Sequence, residues 1–226
     1  MKQKFSLTDT TSITIWILLA ASAIASGLVV FSGVTRDYLP HFLIYNLFLA
    51  WIPLGIAWIV RAYHMSNWSV WLFAGLWLLF FPNAPYLLTD LAHLRWMGGY
   101  GTWLIISIYI SFAIIGLFVG LASLLWMHAE IQTRFGIWIG WFFVLLSLVA
   151  SGFGVYIGRF LRFNSWDIFT NPMTVVGVIK HQLFSSQTFI HAWGFSLTFA
   201  LLTTFCYIMI QQMGRMQPAM VNSSQQ

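Results

Sequence analysis

Apolar runs long enough to cross a membrane alternate with short polar breaks along this chain. They run from Ile13 to about Val34, His41 to Val60, Trp68 to Phe81, Trp103 to Met127, Gly136 to Phe160 and Phe189 to Ile210. About 20 apolar residues carry a helix across roughly 30 Å of hydrocarbon. The pattern therefore predicts an all-α, polytopic membrane protein with six spans, near 13–34, 41–60, 68–90, 103–127, 136–160 and 189–210. The first run exceeds a secretory signal's apolar core and lacks a clean small-residue cleavage site, so it reads as a membrane helix. Pro53 should kink the second span. The third run holds only 14 residues before Pro82, so its remaining depth must come from Pro82 to Arg95. That stretch either resumes the helix after a break or re-enters the membrane edge.

The breaks carry Arg36, Asp37 and Pro40, then His64 to Asn67, Gly98 to Gly101, and a polar loop with His128, Glu130 and Arg134. Asn171-Pro172 reads as an N-cap with proline at the first helical position. It opens an interfacial helix to about Phe184, with Val175, Val176, Ile179, Leu183 and Phe184 on one apolar arc and Lys180 snorkelling to the head groups. Gly116-x3-Gly120, Gly136-x3-Gly140 and Gly154-x3-Gly158 are spaced for close helix packing.

Composition sharpens this picture. Hydrophobic residues make up 60% of the chain and charged ones 7%, against roughly a quarter charged in soluble proteins. One integral membrane domain, 1–226, is the expectation. The formal charge of +5 rests on 10 basic and 5 acidic residues. It points to anionic lipid head groups and topogenic signals, not to nucleic acid. Cys206 stands alone, which excludes an intrachain disulfide and a thiolate metal cluster. Many of the 13 Trp residues suit an interfacial aromatic belt. Basic residues divide five against five between the two sides. Setting aside Arg95, Arg159 and Arg162 as site residues leaves five against two and places both termini in the cytoplasm of a multi-pass cell-membrane protein. The bilayer is the expected partner. Cofactor and oligomeric state have no signature in the sequence.

In six-span topology the ends of spans one, three and five share one side, so Asp37, Pro82 to Arg95 and Arg159 to His191 converge. Ionisable groups at membrane depth usually pair or line a pathway. In the first motif the two prolines disfavour helix through Asn83 and Ala84, and a helix resuming at Pro85 puts Tyr86, Asp90, His93 and Met97 on one face. Its free amides would attract an anion. Asp90 and His93 are spaced as a carboxylate-imidazole pair for general acid-base work. In the second motif Arg159 and Arg162, at i and i+3, form a clamp for phosphate or carboxylate, with Asn164 and Asp167 beside them. The same arginines could instead pair with Asp90 and Asp167 in a structural network. Asp90, His93, His181 and His191 could be gathered around a metal, but they match no signature such as His-Glu-x-x-His, and no metal site is assigned. His41, His64 and His128 fall near helix ends and suit the interface.

Phe-Pro-Asn-Ala-Pro-Tyr-Leu-Leu-Thr-Asp-Leu-Ala-His-Leu at 81–94, followed by Gly-Arg-Phe-Leu-Arg-Phe-Asn-Ser-Trp-Asp at 158–167, resembles the bacterial membrane family called domain of unknown function 1361. The resemblance implies a multi-pass membrane protein and brings no activity. It singles out Pro82, Asn83, Pro85, Tyr86, Asp90, His93, Arg159, Arg162, Asn164 and Asp167. Three functional readings are open. The first is an interfacial pocket that binds or processes an anionic, lipid-linked or envelope substrate, with Asp90 and His93 as acid-base pair and Asn83, Tyr86, Arg159, Arg162, Asn164 and Asp167 as substrate contacts. The second is a non-catalytic membrane partner or assembly factor. The third is a small transporter, for which ionisable residues deep in spans one, two and four are lacking.

Overall fold

Helices account for every regular element among the described residues, which are 10–31, 41–63, 65–96, 102–185 and 188–223 of a computed structural model. In chain order they are α1 (Thr10–Phe31), α2 (His41–Ala62), α3 (Asn67–Phe80), α4 (Asn83–Thr89), a 3-10 helix (Asp90–Trp96), α5 (Thr102–Phe135), α6 (Ile137–Leu161), α7 (Asp167–Thr170), α8 (Pro172–Phe184) and α9 (Phe189–Ser223). Six stretches among them are long and apolar enough to cross a membrane, with Asn67–Leu94 counting as one broken span. The expected all-α, polytopic architecture holds. The contacts divide the chain into two compact units, Met1–Phe135 and Gly136–Gln226.

In the first unit α2 packs on α5, and the short α4 is wedged against both. Leu43, Leu47, Ala50 and Leu54 of α2 meet Ala84 and Leu87 of α4 and Ile108, Tyr109, Phe112, Ile115 and Val119 of α5, with Leu18, Ala25 and Val29 of α1 completing the core. The α4–α5 seam depends on glycine. A Cβ at Gly116 would lie 2.8 Å from the Ala84 carbonyl oxygen, and one at Gly120 would lie 2.8 Å from the Ala84 Cβ. Both are closer than any real side chain sits, so the spacing predicted for packing does pack at this pair. Beside the seam Trp77 is fully buried, donates Nε1–H to Ser123 Oγ at 3.3 Å and stacks on Phe81 at 4.4 Å.

Two expectations need correction here. The trio His128, Glu130 and Arg134 does not form a loop, because α5 runs through it to Phe135. Arg134 Nε donates to Glu130 Oε1 at 2.6 Å across one turn, and its Nη1 donates to the Met65 carbonyl at 2.7 Å. An i, i+4 ion pair stabilises the last turn, and the second bond ties it to the α2–α3 connection. His128 is buried. Gly136, expected inside a helix, is the connection itself: its φ of 94° is reached comfortably only by glycine.

In the second unit α6 packs on α9, with α8 also against α9. The close approach on α6 falls at Gly152, where a Cβ would clash with the Ser196 carbonyl oxygen. Trp141 meets Tyr207 edge to face at 6.3 Å.

Filling the α4–α5 seam should destabilise the first unit. Gly116→Leu is expected to cost about 1–3 kcal/mol through overpacking and to lower the detergent melting temperature, whereas Gly75→Ala, with open space around its Cβ, should leave it nearly unchanged. A Gly116→Leu protein as stable as the wild type would contradict the seam.

Candidate functional site

The break after α3 is made by proline and repaired locally. Pro82 and Pro85 bring no N–H to the ladder, yet the backbone stays right-handed helical at Phe81 (φ −55°, ψ −38°) and Pro82 (φ −58°, ψ −25°). Ala84 N–H donates to the Phe81 carbonyl at 3.2 Å, Tyr86 N–H to the Pro82 carbonyl at 3.0 Å, and Asn83 Nδ2 to the Phe80 carbonyl at 2.8 Å. Asn83 and Ala84 are therefore helical, against expectation, and Pro85 lies in the first turn, where a missing N–H costs little. The amides of Ala84 and Tyr86, expected to be free for an anion, are spent on these carbonyls.

From Asp90 the chain tightens to a 3-10 helix, where residues three apart stack on one edge. Asp90 and His93 share that edge. Tyr86 precedes it on the half-buried surface of α4, and Met97 lies outside the described residues. The Asp90 side chain is almost wholly buried, and its Oδ2 accepts from Asn46 Nδ2 of α2 at 3.2 Å. His93 Nδ1 stands 3.0 Å from the Asp90 main-chain carbonyl and 3.8 Å from its Oδ1. A carbonyl only accepts, so Nδ1 carries the hydrogen and Nε2 is the basic nitrogen of the neutral ring. Phe42 and Tyr109 flank the imidazole, with ring centroids 5.3 and 6.3 Å away. The His93 side chain keeps 39% of its surface exposed. A buried carboxylate thus sits behind an accessible imidazole.

The second motif lies in the second unit. Arg159 is half-buried in the last turn of α6, which ends at Leu161. Arg162 adopts φ 59° and leaves the helix in the left-handed region. It is exposed, and because its backbone is not helical the i, i+3 spacing does not by itself set its direction relative to Arg159. Asp167 Oδ2 accepts from the Asn164 amide at 2.6 Å, while Asp167 N–H donates to the Asn164 carbonyl at 3.0 Å. The backbone bond closes an i, i+3 turn, and the carboxylate ties down the amide that opens it. Asn171 and Pro172 open α8 as the dipeptide predicts, though the Asn171 side chain makes no cap bond. On α8 Val175 and Gln182 are buried, Val176 and Lys180 exposed. Gln182 Oε1 accepts from the Tyr156 hydroxyl of α6 at 3.2 Å. His181 and His191 are exposed. Among the described residues no three His, Cys, Asp or Glu side chains are grouped to share a metal. Asp37 and the Arg95 side chain lie outside the described residues.

Sequence reasoning missed Asn46, Tyr109 and Gln182. A signal existed for Asn46, an amide inside an apolar span.

The model of the family described as Protein of unknown function (DUF1361) matches residues 45–209, both motifs included. The chain belongs to that family. No curated protein and no solved structure matches it. The DUF1361 family is one of unknown function, so the chemistry has to be read from the residues.

Removing the partner of a buried carboxylate is costly. Asn46→Leu is expected to destabilise the first unit by about 1–3 kcal/mol. Asp90→Asn should recover part of that loss in the Asn46→Leu background, since a neutral amide loses less than a carboxylate when one hydrogen bond is removed. Melting the four proteins of this cycle in detergent checks it, and strictly additive losses would contradict the Asn46–Asp90 bond.

Proposed function

We propose that this membrane protein binds or processes an anionic, lipid-linked or envelope substrate at the membrane edge, with Asp90 and His93 as its proton-exchanging pair. The observation that carries the reading is the half-exposed imidazole whose Nδ1 is held by Asp90, with the buried Asp90 carboxylate behind it. A ring oriented in this way offers Nε2 to a substrate as a base. Asn83 and Tyr86 on α4 would supply further polar contacts to the substrate. In the second unit, Arg159 and Arg162 would by themselves offer cationic donors to an anionic group, with Asn164 and Asp167 setting the course of the chain between α6 and α8. Both termini lie in the cytoplasm under this reading.

A second reading has its own support. Asp167 spends a carboxylate oxygen on the Asn164 backbone amide, and Asp90 is held by Asn46. The polar motifs would then fix packing in a non-catalytic membrane partner or assembly factor.

His93→Gln separates the two, because it keeps a polar side chain at a half-exposed place. In cells lacking the protein, lipid-extract mass spectrometry should reveal an accumulated anionic lipid species that the wild-type gene clears. His93→Gln, expressed and folded, should fail to clear it. Full clearance by His93→Gln would remove the acid-base role and leave the structural reading.

A further inference from the structure

The half of α2 that faces away from Asn46 and Asp90 along the helix borders a second feature. Ile15, Trp16 and Leu19 of α1, Trp51, Leu54, Gly55 and Trp58 of α2 and Trp126 of α5 line a groove of about 350 Å³. That is within the range of about 300–1,000 Å³ of small-ligand sites. Its wall is almost wholly apolar, apart from indole nitrogens. At its deep end Trp51 Nε1 is satisfied by Ser22 Oγ at 3.2 Å. Gly55 opens the floor, since a Cβ there would meet nothing within 4 Å.

The groove ends at a cation. Arg61, one turn beyond Trp58, places its guanidinium carbon 5.6 Å from the centroid of the Trp126 ring, a cation–π contact that holds the charge at the groove mouth. Glu130, one turn beyond Trp126, is bonded to Arg134, a pair that adds no net charge to the mouth. The rise from Trp51 to Arg61 is roughly 15 Å at 1.5 Å per residue, or about half of the 30 Å hydrocarbon thickness. A slot one leaflet deep, lined by indoles and closed by a guanidinium at the span's end, has the dimensions and charge of one lipid.

We propose that this groove holds an acyl chain of an anionic glycerophospholipid from the Arg61-side leaflet, with the lipid phosphate on the Arg61 guanidinium. The lipid would brace α1, which is otherwise sparsely buried, against α2 and α5. Its place on α2 is separate from Asp90 and His93, and the inference does not depend on their chemistry.

Native mass spectrometry of the full chain, released from nanodiscs of equal phosphatidylglycerol and phosphatidylcholine, tests it. The wild type should retain one lipid, with phosphatidylglycerol favoured by about tenfold, because phosphatidylcholine makes the same phosphate contact but brings a choline cation against the Arg61 guanidinium. Arg61→Gln should retain a lipid without that preference. Gly55→Phe, filling the floor, should lose the lipid while keeping its helical circular dichroism. If Gly55→Phe does not fold, Leu19→Trp fills the groove from α1 and is read in the same way. Equal retention of the two lipids by the wild type, or undiminished retention by the filled groove, would overturn the proposal. So would a wild-type dimer that Gly55→Phe dissolves, since the groove would then be a face for a second copy.

Discussion

The contact on which the first unit depends is the approach of α4 to α5 at Gly116 and Gly120. Lipid is as apolar as a leucine side chain, so burying hydrocarbon gives little reason for two membrane helices to associate. Close backbone contact has to do that work. Without side chains at two places on α5, the seven-residue α4 lies directly on the longer helix, with Ala84 and Leu87 in the space that side chains at those glycines would fill. An isolated helix of that length would not persist by its own propensity.

That contact fixes where the third span breaks and how the chain continues beyond it. Two prolines remove donors from the ladder, and the loss is contained because Asn83 and the amides of Ala84 and Tyr86 reach the affected carbonyls. The chain then tightens at Asp90, which turns the carboxylate inward to Asn46 and leaves His93 at the edge. Burying a charged carboxylate costs several kcal/mol. The Asn46 amide offsets part of that cost.

Much of this was legible in the chain. The six spans followed from run length, the break after the third from the short run before Pro82, and the start of α8 from Asn171-Pro172. What escaped was set by partners distant in sequence or by backbone detail. Asn46 and Asp90 are 44 residues apart, and no spacing rule links them. His128, Glu130 and Arg134 look like a loop because three polar residues cluster there; the Arg134 bond to Met65, 69 residues away, is part of what holds them in helix. The left-handed turn at Arg162 breaks a helical pairing that i, i+3 spacing alone would suggest. Of the three glycine pairs, Gly116 and Gly120 mark a seam, while Gly136 serves a turn, and spacing does not separate these uses.

The most direct measurement is a cross-link across the α4–α5 seam. In a Cys206→Ser background, Ala84→Cys with Gly120→Cys places two thiols where the backbones touch; their Cβ atoms would start 2.8 Å apart, so the seam has to open by about 1 Å to reach the roughly 3.5–4.5 Å of a disulfide. Mild oxidation should join them within one chain and block both from maleimide, while either cysteine alone stays unjoined. Two thiols that remain fully maleimide-reactive after oxidation would show that α4 does not lie on Gly120, and the placement of Asp90 and His93 would lose its foundation.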